Sequence, residues 1–242
     1  SQSGNYNVAV GGCALYTSVS GDCNTAVGFK ALELNTNCNN DAFGYFALKN
    51  NSTGTQNVAI GQGASCLTTT GSFNTSVGYR AAHHTTSGSY NTAIGRRALH
   101  HNTTSGVNTA VGFQAAFCNG GHNNTAIGEN ASGSKTSACY TVAIGNCANQ
   151  NLGTACNVVA IGAGALRCNQ NGHNSTGVGI SVLCNLVSAH NNTGFGAFAL
   201  TTNTTGAQNT AVGACALYDS VSGSKNEAFG FMALNNNTTG QC

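Results

Sequence analysis

Apolar and polar positions recur along this chain with a fixed period. A small residue, then Val, Ile or Phe, then Gly returns at Gly11, Gly28, Gly44, Gly61, Gly78, Gly95, Gly112, Gly128, Gly145, Gly162, Gly179, Gly196, Gly213 and Gly230. The spacing is 17 in eleven of the thirteen intervals and 16 in the other two, 28 to 44 and 112 to 128. All fourteen residues directly before the glycine are Val, Ile or Phe, and two before it stand eleven Ala, with Ser76, Gly177 and Gly194 as exceptions. Four before it stand eleven Asn, from Asn7 to Asn226. Three after it come thirteen Ala and Val182, and four after it nine Leu. The rest of each period is a polar turn such as Asn102-Thr103-Thr104-Ser105-Gly106.

A period of 16 or 17 is too short for a helical repeat, in which two helices and a turn need about 34 residues. It suits one coil of short strands and turns stacked on its neighbours. The pattern therefore predicts an all-β chain: a β-solenoid of fourteen coils forming one continuous domain over residues 1–242. Coils about 4.8 Å apart make a rod roughly 62 Å long. The glycine column, with Gly28, Gly61 and Gly95 as examples, marks a backbone conformation or close approach closed to other residues. The Asn column, with Asn24, Asn57 and Asn91, is expected to form a ladder of stacked amides. The 16-residue intervals are expected to lose their residue in the polar turn. Adjacent residues of a strand face opposite ways, yet Ala26 and Val27 are both apolar. One of the two columns must line the outside, and a small apolar outer column suggests packing against another chain. Neither end carries a polar capping coil, so the rod is expected to continue into further chain or a stacked subunit.

Composition narrows the function. The 242 residues include 33 Gly, 34 Asn, 28 Thr and 12 Cys, but no Pro and no Trp. Only 6% are charged, against about 25% in an average domain. Eight scattered Lys and Arg cannot neutralise a phosphate backbone, which argues against a nucleic-acid partner. No apolar run approaches the roughly 20 residues of a membrane-spanning helix, so no membrane insertion is expected. No signal peptide is visible, and the sequence opens at Ser1, as a processed product or a fragment does. The six acids stand on different coils without paired spacing, and a uniform rod offers no cleft for acid–base chemistry. The reading is non-enzymatic, without a cofactor.

Three sets of residues carry candidate chemistry. The column six before the glycine reads His122, Cys139, Cys156, His173, His190 over five coils. Cys139 and Cys156, stacked about 4.8 Å apart, fall within the Cα range of a disulfide and are the leading bridge candidates. Cys23 with Cys38, and Cys168 with Cys184, lie on adjacent coils but one column apart, and Cys242 is a candidate for linking subunits. A Cys/His metal site in this column would have its ligands strung along a line instead of at tetrahedral corners. His83, His84, His100 and His101 form a second set, again 17 apart, and are candidate metal ligands or a pH-dependent contact. A solvated turn that tolerates His is the reading preferred for them. Eleven Asn-x-Ser/Thr sequons occur; Asn50, Asn51, Asn102, Asn203, Asn236 and Asn237, in the polar turn, are the glycosylation candidates.

The strings Asn91-Thr92-Ala93-Ile94-Gly95 and Asn108-Thr109-Ala110-Val111-Gly112 resemble two groups. One is the head repeat of YadA-like trimeric autotransporter adhesins, and the other is the repeat region of phage and virus tail-fibre-like proteins. The resemblance implies a left-handed β-roll in a parallel trimer on a surface used for attachment. The function expected is a stiff extracellular, cell-surface or virion-surface fibre. Its partners are other copies of itself, as a trimer or a head-to-tail stack, and a host-surface receptor or glycan. Two alternatives stay open: a filament subunit without a receptor role, and an ice-binding solenoid using the Thr column three before the glycine.

Overall fold

The computed structural model describes residues 4–18, 20–134, 137–151 and 153–241. The chain divides into two compact units, Ser1–Gly120 and Gly121–Cys242, and each is a β-solenoid. In the first, β1 (Val8–Val10), β2 (Thr25–Val27), β3 (Asp41–Phe43), β4 (Val58–Ile60), β5 (Thr75–Val77), β6 (Thr92–Ile94) and β7 (Thr109–Val111) pair in sequence order, each parallel to the next. In the second, β8 (Thr125–Ile127), β9 (Thr141–Ile144), β10 (Val158–Ile161), β11 (Thr176–Val178), β12 (Thr193–Phe195), β13 (Thr210–Val212) and β14 (Glu227–Phe229) do the same. Two strands are one residue longer than the rest. They begin at Thr141 and Val158, where β-branched residues replace the usual Asn and join the ladder.

The alternation of a strand decides which apolar column is inside. Ala26, Ala42, Ala59 and Ala93 are fully buried, while the Val, Ile or Phe that follows each points outward. The outer column is therefore bulky, which corrects the expectation of a small one. Ala fits inside because the coil doubles back at once: the Ala and Leu three and four after the glycine, such as Ala31 with Leu32 and Ala98 with Leu99, are fully buried too.

Consecutive Ala and Leu can both face inward because the chain corners at the Leu. Leu32, Leu48, Leu99 and Leu166 have φ between 47° and 51°, a left-handed conformation costing about 1–2 kcal/mol in a side-chain-bearing residue. Complete burial of a Leu contributes about 1.5–3 kcal/mol, so burial wins. Two further corners, two after and five before the glycine, are left-handed as well, as at Lys30 (56°) and Phe73 (59°). The repeat glycine differs from all three. Its φ is 139° at Gly28 and 141° at Gly44, and a Cβ on Gly44 would lie 2.6 Å from the carbonyl oxygen of Gly61. Both conformation and space exclude any other residue.

The Asn column is buried and works harder than a simple ladder. Asn74 donates through Nδ2 to Asn57 Oδ1 (3.1 Å) and to the Gly88 carbonyl (2.9 Å), and its backbone N–H donates to the same Asn57 Oδ1 at 3.0 Å. One side chain thus ties three coils together. A second inward column, seven after the glycine, closes the polar turn. Asn203 Nδ2 donates to the Gly206 carbonyl and its Oδ1 accepts from the Gly206 N–H, both at 2.8 Å. Where this position is Thr68, Thr85 or Ser220, the buried hydroxyl has no partner, being too short to reach that carbonyl.

The short interval between Gly28 and Gly44 loses its residue in the turn. The Thr36 N–H donates to the Ser52 carbonyl, as the Ser52 N–H does to Thr69 (3.1 and 2.9 Å). Directly afterwards the Asn37 carbonyl accepts from Asn24 Nδ2 at 2.9 Å, the role Gly71 plays for Asn57 at the same distance. At the other short interval β7 and β8 both keep three residues.

Exceptions to the repeat compensate one another. Ser76 replaces a buried Ala and Ser65 a buried Leu, and their hydroxyls hydrogen-bond at 2.7 Å. Val182 replaces an Ala; a Cβ on Gly177 would lie 2.9 Å from its Cγ1, and one on Gly194 2.6 Å from its Cγ2. The two glycines make room for the two methyls. Val182→Ala is expected to destabilise by about 1–3 kcal/mol through the cavity it leaves, and Gly194→Ala by overpacking. The double variant should lose less than the sum of the two. Urea unfolding of the three variants measures this, and strict additivity would contradict it.

Candidate functional site: an outer apolar face and a histidine cluster

The outward residues of each strand make a continuous face within each unit. In the first unit Phe43, Ile60 and Ile94 are 40–42% exposed, with Val77 half-buried between them. Val58, Thr75 and Thr92 run beside them at the other outward position. Aromatic residues one after the glycine, Phe29, Tyr45 and Phe113, are also exposed. Phe29 stacks on Tyr45 with ring centroids 5.5 Å apart, and Glu33 pairs with Lys30 and Lys49 at 3.0 and 3.8 Å nearby.

The histidines sit five and six residues after the glycine on consecutive coils. Parallel stacking superimposes like positions: His83 lies over His100 (5.4 Å, interplanar angle 9°) and His84 over His101 (4.7 Å, 18°), while His100 stacks on Phe117 at 5.2 Å. His100 is only 6% exposed, and neither of its ring nitrogens has a hydrogen-bond partner. His83 Nδ1 is likewise buried without one. His84 Nδ1 lies 3.1 Å from the His100 carbonyl oxygen. Burial, reinforced by His84, Arg80 and His101, pushes the His83 pKa down to about 4. Burial, then His101, His84, His83 and Arg97, pushes that of His100 down to about 3. His101 is lowered more mildly, again chiefly by burial. Ligand atoms of His83, His84 and His100 all lie within 4.8 Å of one another, the one such group of three His, Cys, Asp or Glu among the described residues. The preference for a solvated turn is corrected at His100, which is buried between the stacked rings of His83 and Phe117.

The expected disulfides are not formed. All eleven described cysteines are free, and the side-chain directions give the reason. In a parallel stack every residue of a column points the same way, so Cys156 Sγ faces the backbone of the preceding coil and accepts from the Cys139 N–H at 3.3 Å. Cys38 Sγ accepts from Asp22 N–H (3.2 Å), and His173 Nδ1 from Cys156 N–H (3.0 Å). This column is a row of acceptors, filled elsewhere by Ser72 and Ser89. Cys23 is exposed, and Cys168 and Cys184 meet through their backbones, N–H to carbonyl at 3.0 Å. Cys242 lies outside the described residues.

Three glycosylation candidates are corrected as well. Asn51, Asn102 and Asn203 are fully buried, because they belong to the inward column whose amides close the turn. Asn237 is half-buried, with Nδ2 bonded to Asn226 Oδ1 at 3.0 Å. Asn236 is exposed and Asn50 half-buried. The glycine and Asn columns stand where the repeat puts them, with Asn24, Asn57 and Asn91 buried. No protein family, curated protein or solved structure matches the chain.

The depressed histidines make stability depend on pH. Between about pH 6.5, the ordinary value, and the folded values near 4 and 3, the unfolded chain binds more protons than the folded one, so stability falls as pH falls. It is fully present above about pH 6.5. Thermal melts in chelator from pH 7 to 4 should show this decline, and it should be shallower in His100→Phe. An unchanged slope in that variant would contradict the assignment.

Proposed function

We propose that the chain is a non-enzymatic structural module of an extracellular or virion-surface fibre, assembled from copies of itself through the outer face of its sheet. The observation that carries this reading is the exposed column Phe43, Ile60, Val77 and Ile94. A solitary solenoid gains nothing by exposing such residues where polar ones fit equally well. Side chains in this column recur at the inter-strand spacing of about 4.8 Å. A partner meeting each of them must carry the same spacing, and a parallel copy of this chain does. The likeness of the string from Asn91 to Gly95 to trimeric adhesin and tail-fibre repeats supports such an assembly and a role in attachment.

Ice binding is the second reading, because Thr75 and Thr92 stand beside Val77 and Ile94 on the same outward face. Light scattering of the intact chain should give a multiple of the monomer mass. Ile60→Lys with Ile94→Lys, both at exposed sites, should give a folded monomer. A wild-type chain that is monomeric at micromolar concentration defeats the assembly reading, and thermal hysteresis in that monomer would favour ice.

A further inference from the structure

We propose that His83, His84 and His100 bind one divalent transition-metal ion, which clamps two successive coils of the first unit. Three observations converge on this site, and none depends on the assembly proposed above. The donors come from adjacent coils and already lie within 4.8 Å of one another. A zinc–nitrogen distance of about 2.0–2.1 Å places two tetrahedral ligand atoms about 3.4 Å apart. Ring rotations that close the longest separation by about 1.4 Å therefore complete the set.

Second, the rings carry unused lone pairs in a buried place. His100 is 6% exposed with both nitrogens unpartnered, and His83 Nδ1 is also unpartnered. Each such buried polar atom has lost its water without gaining a partner. The Asn column a few residues away leaves none of its amides in that condition at Asn74. A metal ion uses those lone pairs.

Third, the hydrogen bond of His84 suits ligation. A carbonyl oxygen only accepts, so the 3.1 Å contact of His84 Nδ1 with the His100 carbonyl fixes the proton on Nδ1 and leaves Nε2 free. A histidine ligand held through its second nitrogen in this way is oriented for metal. Three imidazoles without a carboxylate select Zn²⁺, Cu²⁺, Ni²⁺ or Co²⁺ over Ca²⁺ and Mg²⁺. Arg80 and Arg97, whose charges act on the cluster, also disfavour an ion held by charge alone. The fourth position falls to water or to the exposed His101.

The test is a Co²⁺ titration of the whole chain at pH 7, followed by visible d–d absorption, with displacement by Zn²⁺ and thermal melts in parallel. One equivalent per chain with imidazole-type bands, and a higher melting temperature with Zn²⁺, is the expected result. His84→Gln, at a half-buried position, and His100→Gln should each weaken binding by about 100-fold or more. His122→Gln, in the other unit, should leave it unchanged. Circular dichroism in chelator checks that every variant is folded. A folded wild-type chain that takes up no ion overturns the proposal. So does equal binding by wild type and the folded His84→Gln variant.

Discussion

Each coil puts only three or four residues into strand, so sheet hydrogen bonds alone leave much of its backbone unsatisfied inside the structure. Backbone bonds between the turns of neighbouring coils satisfy most of the remainder, as Leu32 N–H does with the Ala47 carbonyl at 3.1 Å, and asparagine side chains satisfy groups that these leave unpaired. An asparagine side chain carries an acceptor and two donor hydrogens on a short stem, and at Asn74 it reaches the coil on either side. A ladder of this kind requires neighbouring coils to stay in register to within a hydrogen bond. The nearly constant period follows from that requirement, as does the placement of the deleted residue between Gly28 and Gly44 in the turn and outside the ladder.

Space inside a coil imposes the second constraint. Ala faces inward from the strand, and Leu meets it from the far side, so that even the two extra methyls of Val182 need glycine at 177 and 194. With the interior this full, bulky apolar residues have only the outer face available. The exposed Val, Ile and Phe column lies on the face through which we propose that copies of the chain meet.

Much of this was legible in the sequence. Period, strand positions and the glycine column follow from counting, because only Gly tolerates a φ near 130° with a carbonyl against its α-carbon. Which of Ala26 and Val27 faced inward was not legible, since both are apolar and only the size of the interior decides. The left-handed corners at Leu32 and Leu99 carried no glycine to announce them; burial holds them. Asn51, Asn102 and Asn203 read as exposed sequons because their turn is polar, whereas a three-residue offset to the glycine that follows, as in Asn203 and Gly206, is the signature of the inward closing bond. Spacing placed Cys139 over Cys156 correctly but said nothing of direction, and direction decides whether two thiols meet. The histidine cluster was legible from its repeat after 17 residues, while the burial of His100 was not.

The central claim is that asparagine side chains hold the coils together where the strands end. Residue-resolved amide hydrogen exchange tests it most directly at Asn57, Asn74 and Asn91, whose N–H groups donate to the Oδ1 of the preceding Asn at 3.0–3.1 Å. These amides lie outside the strands, yet they should be protected as strongly as the neighbouring strand amides of Ala59 and Ala93. Exchange at the rate of the exposed turn amides would contradict the account.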